Sequence, residues 1–197
     1  MKQDQDNARP LRSQPTRDRI LHEARRLFAE LGFEKTTIRA VAAAAAINPS
    51  MVMRYYKSKE ELFATAARID FRMPDLVAVP SQDRGVALVT HILDQWDGPT
   101  TGEELQALLR AAGTHELARR RLVELVEKQA VPVIRSVLPR HRTEERLGLI
   151  IMQLTGLVLS RYFLKHPSVM ALKRAALIRR VGTTVQHYMM ASLPAEF

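Results

Sequence analysis

The stretch from Thr37 to Tyr56 constrains the fold of this 197-residue chain more than any other part of the sequence. It predicts a short helix, a tight turn and a second short helix, followed at once by the helix-capping sequence SKEE at residues 58–61. Two helices of about two turns each are too short to be stable alone. Such a pair is typical of proteins whose second helix enters the major groove of DNA. The stretch therefore favours a DNA-binding function.

The whole chain is predicted to be all-α, with about nine helices and no strand-like alternation. Residues 1–15 are polar and contain two prolines, so we expect them to form a flexible basic arm. The next four helices are expected to begin at side chains that can cap a helix. These helix starts are Thr16, Thr36 or Thr37, Asn48 (with Pro49 at the first helical position) and Ser58.

A loop with two prolines, between Pro74 and Gln82, is the best candidate for a domain boundary. The fourth helix is expected to end at Met73-Pro74, so residues 16–74 form one domain and residues 75–197 a second. In the second domain, helical spacing predicts five more helices. Their approximate ranges are 83–96, 102–112, 115–138, 143–165 and 169–191. Pro132 is expected to bend the third of these helices without ending it.

Positive charge is concentrated near the start of the chain. Residues 1–59 contain twelve Lys and Arg against six Asp and Glu, and so contribute +6 to a formal net charge of +9. A basic segment raises the local concentration of a protein near DNA phosphates. Because ordinary solubilising charge gives the same balance, the charge supports DNA binding only together with the helix pair.

Composition argues against several other classes. Cysteine is absent, which excludes disulfides and thiolate metal sites and fits a reducing, cytoplasmic location. The first residues lack the apolar segment of a secretory signal. Polar side chains interrupt the longest apolar run, residues 147–164, so we expect a buried or dimerising helix there and no membrane partner.

Catalytic and metal-binding motifs are not found in the sequence. His115-Glu116 begins a pattern used by zinc hydrolases, but Arg119 stands where the second histidine is required. The six histidines include no pair four residues apart, and neither a nucleophile-elbow motif nor a phosphate-binding glycine loop occurs. We therefore expect no enzyme activity, no metal and no cofactor.

Residues 16–72 resemble the N-terminal three-helix domain, with its connecting fourth helix, of the tetracycline-repressor (TetR) family of bacterial regulators. The resemblance rests on the segments ILHEARRLFAELGFEKTTIRAVA and INPSMVMRYYKSKEEL, in which many positions agree at fixed offsets. It implies a helix-turn-helix at residues 37–56. Three positions depart from the family pattern: Ala46, where glycine is usual, Ser50, where another small residue or glycine is usual, and Met53, where an aromatic is common. Alanine at position 46 costs about 1 kcal/mol if the turn is left-handed there.

The helix pattern and the resemblance together predict nine DNA-contacting residues. These are Thr37, Arg39, Asn48, Ser50, Met51, Arg54, Tyr55, Lys57 and Lys59. The recognition helix is expected to run from Asn48 to Tyr55. Ser50, Met51 and Arg54 project from its N-terminal end, where arginine reads guanine and methionine packs on a thymine methyl group. Arg39 matches a family position that reaches a base edge.

The other predicted contacts are with the DNA backbone. Thr37, Tyr55 and Lys59 are expected at phosphates, because Thr37 and Lys59 lie at helix starts, where N–H groups favour anions. Sequence-independent attraction is expected from Lys57, Arg9, Arg12 and Arg17. Ordinary structural roles compete with these assignments. Tyr56 is predicted to be buried and Tyr55 exposed, whereas Arg39 could be solvated and Met51 and Met53 could be packing residues.

Small residues among large apolar ones mark the last two predicted helices. They are Gly148, Thr155, Gly156 and Ser160 in one helix and Ala171, Ala175 and Gly182 in the other. Small residues let helix backbones approach closely, and the resemblance implies a homodimer formed by such a bundle. A helical core within one subunit is the alternative. Arg119-Arg120-Arg121 is read as a solvated helix face.

A small-molecule effector is expected to bind among the helices of residues 83–138. The polar or aromatic residues expected to line this pocket are His91, Gln95, Trp96, Gln129, Gln153 and Tyr162. Trp96 is also readily explained as a core residue.

Two functions of different classes remain open. The favoured one is a ligand-responsive transcriptional regulator, most simply a repressor that a small molecule releases from a palindromic operator. The alternative is a helical small-molecule carrier or interaction protein with a vestigial DNA-binding domain. The charged residues Arg39, Arg54 and Lys59 argue against the alternative.

Overall fold

The computed structural model describes residues 14–67, 69–99 and 101–191 of the chain, and all regular structure in these ranges is helical. The expected arm lies outside them, except for Gln14 and Pro15, which begin the first helix. The first four helices are α1 (Gln14–Lys35), α2 (Ile38–Ala44), α3 (Pro49–Tyr56) and α4 (Lys59–Ala66). A 3₁₀ turn (Ser81–Asp83) then leads into α5 (Arg84–Asp97), which is followed by α6 (Thr101–Ala112).

The later helices contain two π-helical turns. These elements are α7 (Glu116–Leu125), a π turn (Val126–Ala130), α8 (Val131–Arg135), α9 (Thr143–Val158), a second π turn (Leu159–Phe163), α10 (Pro167–Met170) and α11 (Arg174–Met190). The chain continues helically past Pro132, as predicted. Proline lacks an N–H group and clashes with the carbonyl four residues earlier, and the wider π turn before it accommodates both effects. The predicted helix at 169–191 is interrupted between Met170 and Arg174.

The described residues form two compact units. Within the described ranges, one unit comprises residues 14–67 with 107–121, and the other comprises residues 69–99 and 101–106 with 122–191. In the first unit, Ile20, Val41 and Leu62 are fully buried and come from three different helices. Phe28 and Phe33 both meet Phe63 edge to face, with ring centroids 5.0 and 5.2 Å apart, which is the preferred aromatic geometry.

Regular helical geometry in α1 breaks at Gly32, and a short helical stretch then continues to Lys35. Gly32 has a φ of 78°, which introduces a kink, and helical structure resumes after it. The buried hydroxyl of Thr36 then donates to the carbonyl oxygens of Leu27 (3.0 Å) and Gly32 (2.8 Å). The N–H of Thr36 also donates to the Gly32 carbonyl, at 3.3 Å, so Thr36 ties together the two parts of α1 on either side of the kink.

The prediction that α4 extends to Met73 is wrong, because the helix ends at Ala66. Ile69 and Phe71 are buried, but their backbone is not helical. The side-chain amide of Gln129 donates to the carbonyl of Ile69 and accepts from the N–H of Phe71, each at 2.8 Å. This side chain therefore replaces the hydrogen bonds that a longer helix would have made.

The second unit is built on the close approach of α5 and α11. A Cβ atom on Gly85 would lie 2.4 Å from the carbonyl oxygen of Gly182, and one on Gly182 would lie 2.8 Å from Cα of Val86. Gln186 joins the same two helices by accepting from the N–H of Gly85 at 2.8 Å. Gly182 thus packs inside the subunit, which corrects its prediction as part of a contact between subunits.

Candidate functional site

The turn between α2 and α3 has the geometry of a Schellman motif. The N–H of Ile47 donates to the carbonyl of Ala42 at 2.9 Å, and the N–H of Ala46 donates to that of Ala43 at 3.1 Å. Ala46 has a φ of 52°, in the left-handed region that favours glycine. Ala46, which departs from the glycine of the family pattern, therefore occupies a left-handed position. The two hydrogen bonds of the motif fix the angle between α2 and α3.

Side chains cap both helices of the pair, as the sequence predicted. The hydroxyl of Thr37 accepts from the N–H of Ala40 at 3.0 Å, and the carbonyl oxygen of the Asn48 side chain accepts from the N–H of Ser50 at 2.9 Å. The Ser50 hydroxyl also donates to this oxygen, at 2.8 Å. These caps lie at exposed residues, so the N-terminal end of α3 is presented to solvent with its shape fixed.

Helix α3 has one buried side and one exposed side. Val52 and Tyr56 are buried, and burial raises the pKa of the Tyr56 hydroxyl. Met53 and Arg54 are exposed, whereas Met51 is half-buried. Tyr56 is therefore a core residue, as predicted, and Arg54 is available for contact with a binding partner.

Tyr55 is half-buried and lies between two arginines. The guanidinium carbon of Arg54 is 5.4 Å from the centroid of its ring, and that of Arg17 is 5.1 Å away. Cations within about 6 Å of an aromatic ring are attracted to its face. The two arginines, 37 residues apart in the sequence, thus form with Tyr55 a single positive surface beside α3. The sequence suggested a contribution from each residue but not their proximity.

Lysines 57 and 59 differ in their surroundings. Lys57 is exposed. The ammonium of Lys59 instead donates to the carbonyl of Glu34 at 3.1 Å and lies 4.3 Å from the centroid of the Phe33 ring. Lys59 is thus bound to the end of α1, whereas Arg39, the remaining predicted contact, is exposed. Lys57 is the better placed of the two lysines to reach a phosphate.

A cavity of ≈ 290 Å³ lies between the end of α1 and the α6–α7 segment within the first unit. His115 forms part of its wall. Its Nε2 atom is 3.0 Å from the Glu34 carboxylate, and its Nδ1 atom is buried without a hydrogen-bond partner in the described residues. The imidazole also packs on Phe33, which links α7's start to the end of α1.

The residues predicted to line an effector pocket fall into separate groups. Trp96 is 3% exposed and stacks on Tyr162, with ring centroids 5.2 Å apart and planes at 27°. The Tyr162 hydroxyl donates to Asp97 at 2.8 Å, and burial together with this carboxylate raises the pKa of Tyr162 well above its usual range. Trp96 and Tyr162 thus form one aromatic pair in the second unit.

The other four residues are not part of this pair in the described structure. His91 and Gln129 both contact the segment from Ile69 to Phe71, His91 through Nε2 at 2.8 Å from the Phe71 carbonyl oxygen. Both side chains therefore stabilise the backbone of this segment, which explains their contacts without a ligand. Gln95 and Gln153 are half-buried.

Two family patterns match most of the chain. The pattern described as "Bacterial regulatory proteins, tetR family" matches residues 20–66, and the one described as "Tetracyclin repressor-like, C-terminal domain" matches residues 82–189, more than half of the sequence. The chain belongs to the TetR family. The resemblance and the all-α fold with an N-terminal helix-turn-helix are therefore confirmed.

Two helix-turn-helix transcriptional regulators share parts of the sequence. The transcriptional repressor Rv1474c of Mycobacterium tuberculosis is 32% identical over 97 residues, which is 48% of this chain and 51% of that protein. The regulator UidR of Escherichia coli is 42% identical over 50 residues, which is 25% of this chain and 26% of that protein. The chain thus spans about half the length of the first of these relatives and a quarter of the second.

Two solved structures match the fold over most of its length. A TetR-family regulator from Streptomyces coelicolor A3 superposes with a TM-score of 0.66 at 24% identity and covers 93% of this chain and 99% of its own. The multidrug binding protein EbrR complexed with malachite green also gives 0.66, at 18% identity, and covers 89% and 98%. At these identities the likeness shows the fold.

Sequence reasoning missed three charged residues near the Trp96–Tyr162 pair. Asp97 accepts from Tyr162 and lies 3.4 Å from Arg174, and Arg161 precedes Tyr162 in the second π turn. Arg161 could have been found, because it interrupts the longest apolar run of the sequence.

Among the helices of the described residues, none is long and apolar enough to cross a membrane.

Proposed function

We propose that this protein is a ligand-responsive transcriptional regulator, specifically a repressor, that binds a palindromic DNA operator as a homodimer in the cytoplasm. The observation that carries the proposal is the exposed, capped N-terminal end of α3 beside the positive surface of Arg17, Tyr55 and Arg54. In a dimer, two such helices about 34–36 Å apart would enter successive major grooves. Regulation of this kind needs no catalytic step, metal or cofactor.

Within the operator complex, we assign Arg54, Ser50 and Met51 to base edges, together with Arg39. Arg54 is exposed and held near Tyr55, which limits its conformations before binding. Phosphate contact is assigned to Thr37, Tyr55 and Lys57, and Lys59 acts mainly by fixing the end of α1. Asn48 sets the start of the recognition helix.

The homodimer is proposed to form along the exposed side of α9. Met152 is 61% exposed, and the exposed residues Leu159 and Phe163 continue the same apolar face into the second π turn. Gly148 and Gly156 lie on this face, and a Cβ atom added to either would meet nothing within 4 Å. A second copy of this helix could therefore approach closely and bury the apolar side chains.

Effector binding is assigned to the second unit, near the Trp96–Tyr162 pair. The match to the C-terminal family pattern supports this location, as does the fold shared with EbrR, a multidrug binding protein. An effector that binds better to an arrangement with a different spacing of the two α3 helices would lower DNA affinity by shifting the population.

DNA binding is tested with the full chain by fluorescence anisotropy, using DNA that flanks the protein's own coding region. Arg54→Ala is expected to weaken specific binding by about 1–3 kcal/mol and to relax selectivity at one base pair. The matched control is Arg179→Ala, which removes the same charge from an exposed position in α11. If the wild-type protein binds no flanking fragment better than random DNA, the helical carrier is the better description.

The dimer is tested separately by sedimentation of the full chain. Gly156→Glu places a charge in the proposed interface without filling space inside the subunit, so it is expected to give a folded monomer. Gly113→Glu, at an exposed position between α6 and α7, is the control and is expected to remain dimeric. A Gly156→Glu dimer as tight as wild type would exclude this face.

A further inference from the structure

Arg161 is half-buried, and two of its guanidinium donors are closed to solvent without a hydrogen-bond partner in the subunit. Its Nε and Nη1 atoms have no access to solvent and no hydrogen-bond partner in the described residues, whereas the guanidinium also interacts with the Tyr162 hydroxyl. A guanidinium has five N–H donors and stays protonated in proteins. Burial of such a charge is unfavourable unless an anion or several acceptors surround it.

Arg146 shows how this chain satisfies a buried arginine when the role is structural. The Arg146 guanidinium is buried and donates to the carbonyl oxygens of Tyr188 at 2.8 Å and Ala191 at 2.9 Å. A third bond, to the carbonyl of His141, is 3.4 Å long. Arg161 has no such set of acceptors around Nε and Nη1. Its buried donors therefore point to an acceptor that comes from outside the subunit.

The acid close to Tyr162 is already engaged by other groups. Asp97 accepts a hydrogen bond from the Tyr162 hydroxyl at 2.8 Å and forms an ion pair with Arg174 at 3.4 Å. Arg174 also pairs with Asp94. The charge of Asp97 is thus balanced without Arg161, and a missing anion at Arg161 would have to be supplied by a ligand.

The position of Arg161 favours a small ligand over the second copy of the chain. Its neighbours Leu159 and Phe163 are exposed on the proposed dimer face, whereas Tyr162 is buried. Nε and Nη1 of Arg161 are closed to solvent, and its guanidinium lies beside the ring of the buried Tyr162. π-Helical turns of this kind occur frequently at functional sites.

Aromatic rings define the apolar part of the site. The guanidinium carbon of Arg161 is 5.7 Å from the centroid of the Tyr162 ring, and Trp96 stacks on that same ring. A ligand bound at Arg161 would therefore have flat aromatic surfaces beside its charged group. Arginine binds a carboxylate through two parallel hydrogen bonds, and Nε and a terminal nitrogen are suitably arranged donors for this.

We propose that Arg161 binds the carboxylate of the effector, and that the effector is a planar aromatic carboxylate whose ring packs beside Tyr162 and Trp96. This inference rests on the proposed function, since it specifies the ligand class of the proposed effector site. The ligand places its charge on Nε and Nη1 and its ring against the aromatic pair.

The test compares 2-naphthoate with 2-naphthamide, a neutral molecule of nearly the same shape, by calorimetric titration and thermal denaturation of the full-length protein. Wild type is expected to bind and be stabilised by naphthoate, and to bind naphthamide about 10- to 100-fold more weakly. Arg161→Met is expected to lose the preference for the anion, and without ligand its Tm is expected to be higher than that of wild type. Equal binding of both compounds, or no binding of naphthoate at millimolar concentration, would overturn the proposal.

Two further variants make the outcome specific. Arg179→Met removes an exposed arginine and should keep the full preference for naphthoate. Arg161→Lys keeps the charge but not the pair of parallel donors, so it should bind naphthoate with intermediate affinity even if the methionine variant folds poorly. Retention of wild-type affinity in Arg161→Lys and Arg161→Met would contradict the assignment.

DNA binding by the ligand-free protein separates this inference from the proposed function. If the protein binds its operator but ignores naphthoate, the carboxylate site is wrong and the regulator remains. If naphthoate binds through Arg161 but no operator is bound, the ligand site stands and the regulator is wrong.

Discussion

The imidazole of His115 packs against the ring of Phe33, with centroids 4.1 Å apart. The ammonium of Lys59 contacts the same ring and also donates to the carbonyl of Glu34. Through Phe33, the start of α7 is therefore joined to the residue that begins α4, within a single compact unit. This arrangement gives Lys59 a structural role that its position at a helix start did not suggest.

Lys59→Met should lower the free energy of unfolding by about 1–2 kcal/mol, since it removes a charge-assisted hydrogen bond and a cation–π contact while it keeps the apolar stem. Lys57→Met is the control, because Lys57 is exposed. It should leave stability unchanged and reduce the slope of log affinity against log salt by about 1. Urea denaturation and salt-dependent anisotropy measure the two effects. A Lys59→Met protein of unchanged stability and reduced salt slope would restore its assignment to a phosphate.

Ala46→Gly should stabilise the protein by about 1 kcal/mol. Ala46 has a φ of 52°, and a side chain in this region clashes with the backbone, whereas glycine does not. Ala43→Gly, at an exposed helical position of α2, should destabilise by about 0.5–1 kcal/mol. The midpoints of urea denaturation give both values. The same sign for the two substitutions would show that the turn is not strained at Ala46.

The features that the sequence predicted well depend on neighbouring residues. The caps at Thr37, Asn48 and Ser58 each involve a side chain and an N–H two or three residues later, so a short segment contains the whole interaction. The left-handed turn at Ala46 is equally local. Such interactions can be recognised from a short stretch of sequence, although the helices themselves need the rest of the domain to be stable.

The features that the sequence did not predict depend on distant residues. The segment after α4 is not helical, and Gln129, about 60 residues away, bonds its backbone instead. Gly182 resembled an interface residue in sequence, but α5 occupies the space beside it. A pattern of small and apolar residues shows that a helix face is packed closely and does not show which element packs there.

Gly182→Ala should lower the free energy of unfolding by about 1–3 kcal/mol. The added Cβ would lie 2.8 Å from Cα of Val86, so α5 and α11 would have to separate. Gly113→Ala is the control, since its Cβ would make only an ordinary contact at 3.6 Å, and its stability should change by less than about 0.5 kcal/mol. Denaturation of both variants at the same protein concentration compares their free energies of unfolding. If Gly182→Ala lowered the dimer affinity without lowering subunit stability, the interface reading of Gly182 would be right after all.

Arg146→Leu should destabilise the protein by about 2–4 kcal/mol, although Arg146 has no role in either proposed site. Its guanidinium donates hydrogen bonds to carbonyl groups at the end of α11. The last carbonyls of a helix have no donors within the helix, so they depend on such a partner. Leucine would fill part of the volume and leave these buried oxygens unpaired. Arg179→Leu, at an exposed position, should change stability by less than about 0.5 kcal/mol. The decisive comparison is with Arg161→Met, for which stability should rise, because the two arginines differ in whether the subunit itself supplies acceptors. Losses of equal size at positions 146 and 161 would mean that both arginines serve the fold alone.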